Sequence, residues 1–517
     1  MFARFQAALP AYVFFSGLMA ASLVVVSSCD SPETVLPDPP PFQSADSTPS
    51  GTTNIGVDEV VDFCADWPMP AVIIAATGQM HGYLEPCGCS VPQYGGIARR
   101  ADLLSQMAAR GWPVVPVDLG GTLQRSREQS QLKFQTLMSA LRDMKYQAMA
   151  VGVEELRLGP ANLLAQHLPD ADGQNQSLSF LAANVVLFGD PELGTPLRHK
   201  VIRVGDRTIG LTAVFGPALK SQLPNLQSGG VEILDTDEPL KNAIAALQAE
   251  SVDLLVLLSH GTATEAAELA KQHPEFRLVL ATGPVEEPLA NNPVEIGTTT
   301  LAHVGHKGKY VGVIGWYPDS EKQPFRFEMV RLDGSRFKDP PAMLDHMRNY
   351  QDLLETANLV ESEPALPHPA DGKFVGARRC RECHKKAYAK WSTTGHASAF
   401  DSLLTGRRDI PRIHDPECLA CHVTGWNPQD VYRYETGWIS ESQTPKLAGN
   451  QCENCHGPGS RHIALIKSGQ KMRARSLVRV TLEQARDKLC VTCHDLDNSP
   501  DFDFDSYWEE IAHPGLD

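Results

Sequence analysis

Cys380-Arg-Glu-Cys383-His384 is the first of four copies of one five-residue pattern, followed by Cys418-Leu-Ala-Cys421-His422, Cys452-Glu-Asn-Cys455-His456 and Cys490-Val-Thr-Cys493-His494. Each copy reads Cys-x-x-Cys-His, the pattern that attaches c-type haem. Two thiols one helical turn apart can form thioethers with the two vinyl groups of a porphyrin, and the next imidazole then falls under the iron. With 12 Cys and 17 His in 517 residues, chance would give about 0.01 such motifs per chain.

The motifs therefore predict four c-type haems. The covalent attachment residues are Cys380, Cys383, Cys418, Cys421, Cys452, Cys455, Cys490 and Cys493, and the proximal iron ligands are His384, His422, His456 and His494. The alternative is zinc, because paired Cys-x-x-Cys units also form zinc ribbons. Zinc does not require a histidine after every second cysteine, so the pattern favours haem.

The histidines left over in this region decide the second axial ligand of each iron. From Lys373 onward four histidines lie outside the motifs: His396, His414, His462 and His513. Met472 is the only methionine there, so the composition predicts bis-histidine ligation.

This region resembles the tetrahaem cytochrome c family (c-554 type) of nitrifying bacteria, which carries electrons from hydroxylamine oxidation. The shared features run from Phe374 to His513 and include His396-Ala-Ser-Ala-Phe400 and His456-Gly-Pro-Gly-Ser-Arg-His462. The resemblance implies a mainly α-helical, haem-packed domain with distal ligands at His396, His462 and His513. It also implies an open face on the haem of His422. His414 has no family counterpart, so it remains either a cap on that iron, a proton donor or a surface residue.

The preceding region has another pattern, in which short β-branched runs alternate with amphipathic stretches. This pattern predicts an α/β layered domain. The predicted strands are Ala71–Thr77, Pro113–Asp118, Gln147–Val151, Phe180–Val186, Val201–Val204, Thr208–Ala213, Leu254–Ser259, Arg277–Ala281, Thr299–Val304 and Tyr310–Tyr317. The predicted helices are Gly96–Arg110, Ser126–Met144, Pro160–Gln166, Leu240–Glu250 and Thr264–His273.

The order of these segments resembles the metallophosphatase half of the 5′-nucleotidase family, a layered sandwich. The resemblance is carried by Thr77-Gly-Gln-Met-His-Gly82, Asp118-Leu-Gly-Gly121, Gly152-Val-Glu-Glu155, Ser259-His-Gly261 and Gly305-His-Lys-Gly308.

Most metal-binding positions of that family are substituted here. Gln79, Gly121, Val153 and Glu154 stand where the family has Asp, Asp, Asn and His, and residues 281–285 contain no imidazole. Two dications need bridging carboxylates and imidazoles. We therefore expect no bound dinuclear metal and a vestigial site of His81, Glu154 and His260. A shifted single-metal site that also uses Glu155 is the alternative.

Four cysteines lie outside the motifs: Cys29 near the N-terminus, and Cys64, Cys87 and Cys89 further along the chain. Cys87 and Cys89 form a Cys-x-Cys pair in the loop after His81, and Cys64 lies upstream. In an oxidising compartment Cys64 is expected to form a disulfide with one of the pair. Soft-metal binding by the pair is the alternative.

The N-terminus predicts export. Arg4 precedes an apolar run that ends Val26-Ser-Ser-Cys29, which resembles a bacterial lipoprotein cleavage site. Lipidation of Cys29 would then anchor the chain on the periplasmic side of a membrane. An ordinary signal peptide or an uncleaved helix is the alternative.

The domain boundaries expected from these patterns are a signal peptide (1–28), a lipidated, disordered tether (29–65), the phosphatase-like domain (66–335), a helical connector with a Pro-rich linker (336–372) and the tetrahaem domain (373–517).

Composition constrains the partners. The net charge of −16 argues against nucleic acid. We expect an electron-transfer protein with periplasmic or membrane redox partners, more than an enzyme. The alternatives are an oxidoreductase of a small nitrogen or sulfur oxide at an open haem on His422, and a phosphoesterase regulated by haem.

Overall fold

Two six-stranded β-sheets pack face to face in the first part of the described chain. The computed structural model describes residues 62–167, 178–223, 229–287 and 289–513. The strands are β1 Val72–Thr77, β2 Pro86–Cys87, β3 Tyr94–Gly95, β4 Val114–Asp118, β5 Ala148–Ala150, β6 Ser179–Leu181, β7 Val185–Leu187, β8 His199–Val204, β9 Arg207–Phe215, β10 Val231–Ile233, β11 Leu254–His260, β12 Leu278–Ala281, β13 Val294–Ile296, β14 Thr299–His303, β15 Tyr310–Trp316 and β16 Phe325–Arg331.

The first sheet has the order β16-β15-β1-β4-β5-β6 and the second the order β13-β14-β12-β11-β9-β8. Strands β1, β4, β5 and β6 run parallel, as do β9, β11, β12 and β14. Alternation along β1 shows why two sheets form. Val72, Ile74 and Ala76 enter the core between the sheets, whereas Ile73 and Ala75 face the outer helices.

Helices cover both outer faces. They are α1 Ile97–Ala109, α2 Glu128–Asp143, α3 Val153–Arg157, α4 Pro160–His167, α5 Asp237–Ala249, α6 Ala263–Gln272, α7 Pro341–Ala357 and α8 Leu359–Ser362. Helices α1, α2 and α7 share a core with the first sheet, and α5 and α6 share one with the second. The expected connector helix, α7, therefore packs on the phosphatase-like core through Met347, Tyr350 and Leu354.

The C-terminal region consists of short helices with little regular sheet. Its elements are α9 Ala377–Arg381, α10 Lys385–Trp391, α11 Asp401–Thr405, α12 Pro416–His422, β17 Trp426–Asn427, β18 Tyr432–Arg433, α13 Cys452–His456, α14 Ser460–Lys467, α15 Lys471–Val478, α16 Leu482–Gln484 and α17 Phe504–Ile511, with a π-helix at Ala485–Leu489. One small apolar cluster, centred on Leu419, Trp426 and Trp438, lies beside the second and third motifs.

The predicted strands and helices of the layered domain have counterparts in the structure, including the antiparallel β8–β9 hairpin at a sheet edge. One prediction was wrong. Phe180–Val186 is not a single strand but β6 in the first sheet and β7, which pairs with β10 outside both sheets. The Asn184 side chain bonds both backbone groups of Phe215, and this contact holds the chain where it leaves the sheet.

The predicted signal peptide, Cys29 and nearly all of the tether lie outside the described residues. Among the helices that the structure describes, none is both long and apolar enough to cross a membrane.

Candidate haem sites and the degenerate metal site

Three histidine pairs face each other across the C-terminal region. The ring centroids are 6.1 Å apart for His384 and His462, 6.0 Å for His494 and His396, and 5.9 Å for His456 and His513. A ring nitrogen binds a metal at about 2 Å and lies roughly 1 Å from its ring centre, so two imidazoles on opposite sides of one metal have centroids about 6 Å apart. The three pairs fit bis-histidine ligation of three irons.

Hydrogen bonds orient several of these rings and the ring of His422. Nδ1 bonds a backbone carbonyl in four of them: His422 to Ala399 (2.7 Å), His456 to Val478 (2.7 Å), His462 to Ala474 (3.0 Å) and His513 to Ile511 (2.9 Å). In His494, Nδ1 lies 3.0 Å from Ser499 Oγ. A ligating histidine normally uses its second ring nitrogen in this way, which fixes the tautomer. Nε2 is thereby left for a metal.

The local environment also keeps several of the rings neutral. Burial lowers the pKa of His422, His456 and His494. Burial, followed by the charges of His494 and His422, lowers the pKa of His396 to about 4. A neutral imidazole has the lone pair that iron binding requires.

His422 differs from the other three motif histidines. Among the ring contacts of the described residues, no second histidine faces it. His414, the one leftover histidine without an assigned pair, places Nε2 3.7 Å from Glu355 Oε1 on the phosphatase-like side. The structure thus brings together three of the four distal candidates with motif histidines.

The attachment cysteines show the order of the motifs in space. The thiols of Cys380 and Cys452 contact each other, as do those of Cys421 and Cys493. Burial, followed by nearby Cys490 and Cys493, raises the pKa of Cys455 to about 12. The motifs therefore neighbour one another in the order first, third, fourth, second.

The metallophosphatase-like site is closed by its own hydrogen bonds. Glu155 is completely buried, and its carboxylate accepts bonds from the backbone of Gly121 (3.1 Å), Thr122 (2.8 Å) and Gly152 (2.9 Å) and from the Thr122 hydroxyl. Both ring nitrogens of His260 are engaged, Nδ1 with the Leu119 carbonyl (2.7 Å) and Nε2 with the Val153 N–H (3.3 Å).

The other members of this site do not converge on a metal position. The His81 ring packs against His306 at 5.6 Å, and burial with the His306 charge lowers the pKa of His81. Gln79 bonds the Gly283 backbone at 2.7 Å. Burial and Glu155 raise the pKa of Glu154 to about 7. In the described part of the chain, no three His, Cys, Asp or Glu side chains are grouped as a metal site would need. These residues do not fit a dinuclear metal.

The expected disulfide from Cys64 is absent from this structure, and that prediction was wrong. Cys64 is a buried free thiol in the core around α1, where its N–H bonds Glu328 at 2.7 Å. Cys89 is also free and lies against the C-terminal region, with its N–H 2.8 Å from the Asn498 carbonyl. The side chain of Cys87 lies outside the described atoms.

Comparison with known proteins separates the two regions. Residues 379–457 match the family model "Cytochrome c554 and c-prime". Cytochrome c-554 of Nitrosomonas europaea is 31% identical over 144 residues, which cover 24% of this chain and 59% of that protein. The chain joins a cytochrome c554-like region to a 5′-nucleotidase-like region.

The 5′-nucleotidase-like region matches snake venom 5′-nucleotidase of Crotalus adamanteus, with 28% identity over 185 residues, 35% of this chain and 30% of that enzyme. A solved 5′-nucleotidase precursor from Thermus thermophilus has 20% identity and a TM-score of 0.47, over 57% of this chain and 61% of that one. The chain thus spans less than two thirds of each relative. The cytochrome c554-like region implies c-type haem, which the histidine pairs fit.

Sequence reasoning missed two features of these sites. It did not identify Glu155 as the centre of the degenerate site, because burial of a carboxylate is not visible in a Glu-Glu pair. His306, in the Gly305-His-Lys-Gly308 segment, is the other feature: its ring contact with His81 joins residues far apart in the chain and leaves no local sequence signal.

Proposed function

We propose that this protein is a periplasmic, membrane-anchored tetrahaem c-type cytochrome that mediates electron transfer, with the phosphatase-like domain as its scaffold. The observation that carries the proposal is the set of three facing histidine pairs. Bound haem would supply a one-electron couple at each motif. The chain's own residues hold, orient and separate the four groups.

The order of the motifs supports a linear path. Since the motifs neighbour one another as first, third, fourth and second, the first and second lie at the two ends. The second is packed against the phosphatase-like domain, where Arg125 bonds the Gln429 carbonyl (2.8 Å) and Arg127 bonds the Val431 carbonyl (2.8 Å). The first motif is the end that lies away from these contacts.

The first motif is bordered by exposed cations. We name this set the basic surface: Arg378, Arg379, Arg381, Lys385, Lys386, Lys467, Lys471, Arg473, Arg475 and Arg479. Its helices α9 and α10 flank His384, and α14 and α15 hold His462. Because the whole chain carries −16, a local basic surface indicates the docking face for an acidic redox partner.

Lipidation of Cys29 would keep the protein near a membrane and within reach of periplasmic or membrane redox proteins. The sequence around Cys29 supports this localisation.

One observation favours a second function. His422 has no facing histidine in the described part of the chain, so its haem would have a free coordination position. That position suits reduction or oxidation of a small nitrogen or sulfur oxide. A phosphoesterase has no comparable support, because Glu155 and His260 already use their polar atoms within the protein.

Stopped-flow measurement of the rate of electron transfer to the purified holo protein tests the electron-transfer proposal. A small acidic redox protein is the donor, and the ionic strength is varied. We expect fast haem reduction that slows as salt rises, and slower reduction after charge reversal of Lys471 and Arg475. Glu substitutions at the exposed Lys241 and Lys271 of the phosphatase-like domain are the matched control. Reduction that is independent of salt and of both variants would contradict the docking face.

A further inference from the structure

The helix that carries the second motif is held from the other domain. Asp415 is the N-cap of helix α12, and its side chain accepts from the Glu417 N–H at 3.1 Å. The same carboxylate accepts from Gln129 of α2 at 2.8 Å and from Gln351 of α7 at 3.2 Å. Asp415 is only 6% exposed, so these two amides take the place of water as its donors.

An ion pair makes a second attachment, next to the first attachment cysteine of this motif. Lys133 of α2 is buried, and its Nζ lies 2.5 Å from Glu417 Oε2 and 3.1 Å from the Gly82 carbonyl. Arg125 lies 3.4 Å from the other Glu417 oxygen. Although burial opposes it, the neighbouring Glu417 and Asp415 raise the pKa of Lys133, which therefore stays charged.

The loop around β2 makes a third attachment. Arg407, which precedes α12, donates to the carbonyls of Pro86 (3.1 Å) and Gly88. Arg412 donates to Glu85 at 2.8 Å. Burial, followed by the charges of Asp415 and Cys89, raises the pKa of Cys418, so this loop lies close to the second motif.

The first and third motifs are held differently. The Glu453 carboxylate, within the third motif, accepts from the N–H groups of Val375 (3.0 Å), Gly376 (2.7 Å) and Gly459 (2.6 Å). Those bonds join the start of α9 to α13 inside the cytochrome c554-like region.

We propose that the second haem site is shared between the two domains, with Lys133 and Glu417 as positioning residues that set the electrostatic environment of that haem. This inference rests on the proposed function. It gives the phosphatase-like domain a specific role, the control of the haem at His422, which no second histidine faces among the described residues.

Two opposite charge changes in the full-length holo protein test it. Lys133→Met removes a buried cation and leaves Arg125 as the counter-charge of Glu417. The smaller positive charge favours ferric iron, so the midpoint potential of the second haem falls. Glu417→Gln removes the anion and leaves Lys133, so that potential rises. A redox titration followed by absorption and magnetic resonance gives the midpoint potentials of all four haems. The signal of the second haem is assigned as the one that changes in a His422→Met variant.

The controls separate positioning from stability. Lys133→Arg keeps the charge and restores the potential, and Lys241→Met removes an exposed lysine of the same domain and changes nothing. Shifts of opposite sign that are largest at the second haem support the proposal. No shift, shifts of the same sign, or equal shifts at all four haems overturn it. If Lys133→Met does not fold, the isosteric Glu417→Gln variant still tests the proposal. The midpoint potential of its second haem should rise, and a fall or no change overturns the proposal.

Failure of the proposed function looks different from failure of this inference. The proposed function fails when wild-type holo protein does not exchange electrons. The inference fails when wild-type holo protein exchanges electrons but the midpoint potential of its second haem is the same in wild type and in every variant.

Discussion

The histidines of the two regions of this molecule use their ring nitrogens differently. In the 5′-nucleotidase-like region, His260 uses both ring nitrogens inside the protein, and the Glu155 carboxylate satisfies the surrounding backbone. In the cytochrome c554-like region, His456, His462 and His513 use Nδ1 for a carbonyl and are arranged in facing pairs. In the first region internal hydrogen bonds satisfy the polar groups of the site, whereas in the second each of these rings keeps one nitrogen available for a ligand.

The largest expected effect comes from withholding haem. The 5′-nucleotidase-like region has three apolar clusters between its layers, but the other region has one small cluster. We expect protein made without haem attachment to lose protease resistance after about residue 372 while the sandwich stays resistant. Limited proteolysis with mass spectrometry of both forms checks this. Equal resistance of the C-terminal region with and without haem would refute the comparison.

The facing pairs predict a change at a single haem. In His462→Ala the iron held by His384 loses its second imidazole, so one low-spin ferric signal is replaced by a high-spin signal. Magnetic resonance of the oxidised protein measures both. His414→Ala is the matched control, since His414 faces Glu355, and its spectrum should equal that of wild type. The pairing is wrong if the His462 variant keeps every low-spin signal.

The closed site predicts a loss of stability. Glu155→Gln replaces an acceptor of four hydrogen bonds by an amide whose NH₂ faces backbone donors, which should cost about 2–4 kcal/mol in the free energy of unfolding. Urea unfolding followed by circular dichroism gives this value. Glu275→Gln, at an exposed position, is the control and should change it little. A variant as stable as wild type would show that Glu155 does not hold the site together.

The smallest effect depends on pH. The folded pKa of Glu154 is raised from 4.5 to about 7 by burial and Glu155, so its proton is bound more tightly in the folded state. Its ionisation therefore lowers stability as pH rises from 4.5 through about 7. Glu154→Gln should match wild type at pH 4 and be about 1–3 kcal/mol more stable at pH 8. A constant difference between pH 4 and pH 8 would contradict this.

The sequence predicted the regular parts of the fold because their signals are local. Strand β11, for example, is a continuous apolar run between turn residues. Strand β16 was missed although Phe325, Phe327 and Met329 alternate with polar residues. The short β10 and β13 have three residues each, too few for any periodicity.

The parts of the site that could be predicted are those whose residues are adjacent in the sequence. The Cys-x-x-Cys-His motifs and the leftover histidines are visible in the sequence. Which histidine faces which motif is not, because His396 lies 98 residues from His494 in the chain. Lys133 and Glu417 are likewise 284 residues apart, and their contact depends on how the two regions pack.

The most direct measurement of the central claim combines haem analysis with magnetic resonance on the oxidised protein, matured in a host that attaches c-type haem. The account predicts four covalently bound haems per chain, three low-spin with two imidazole ligands and one high-spin at His422. Zinc in place of haem at the four motifs, or covalent haem without any bis-histidine signal, would contradict it.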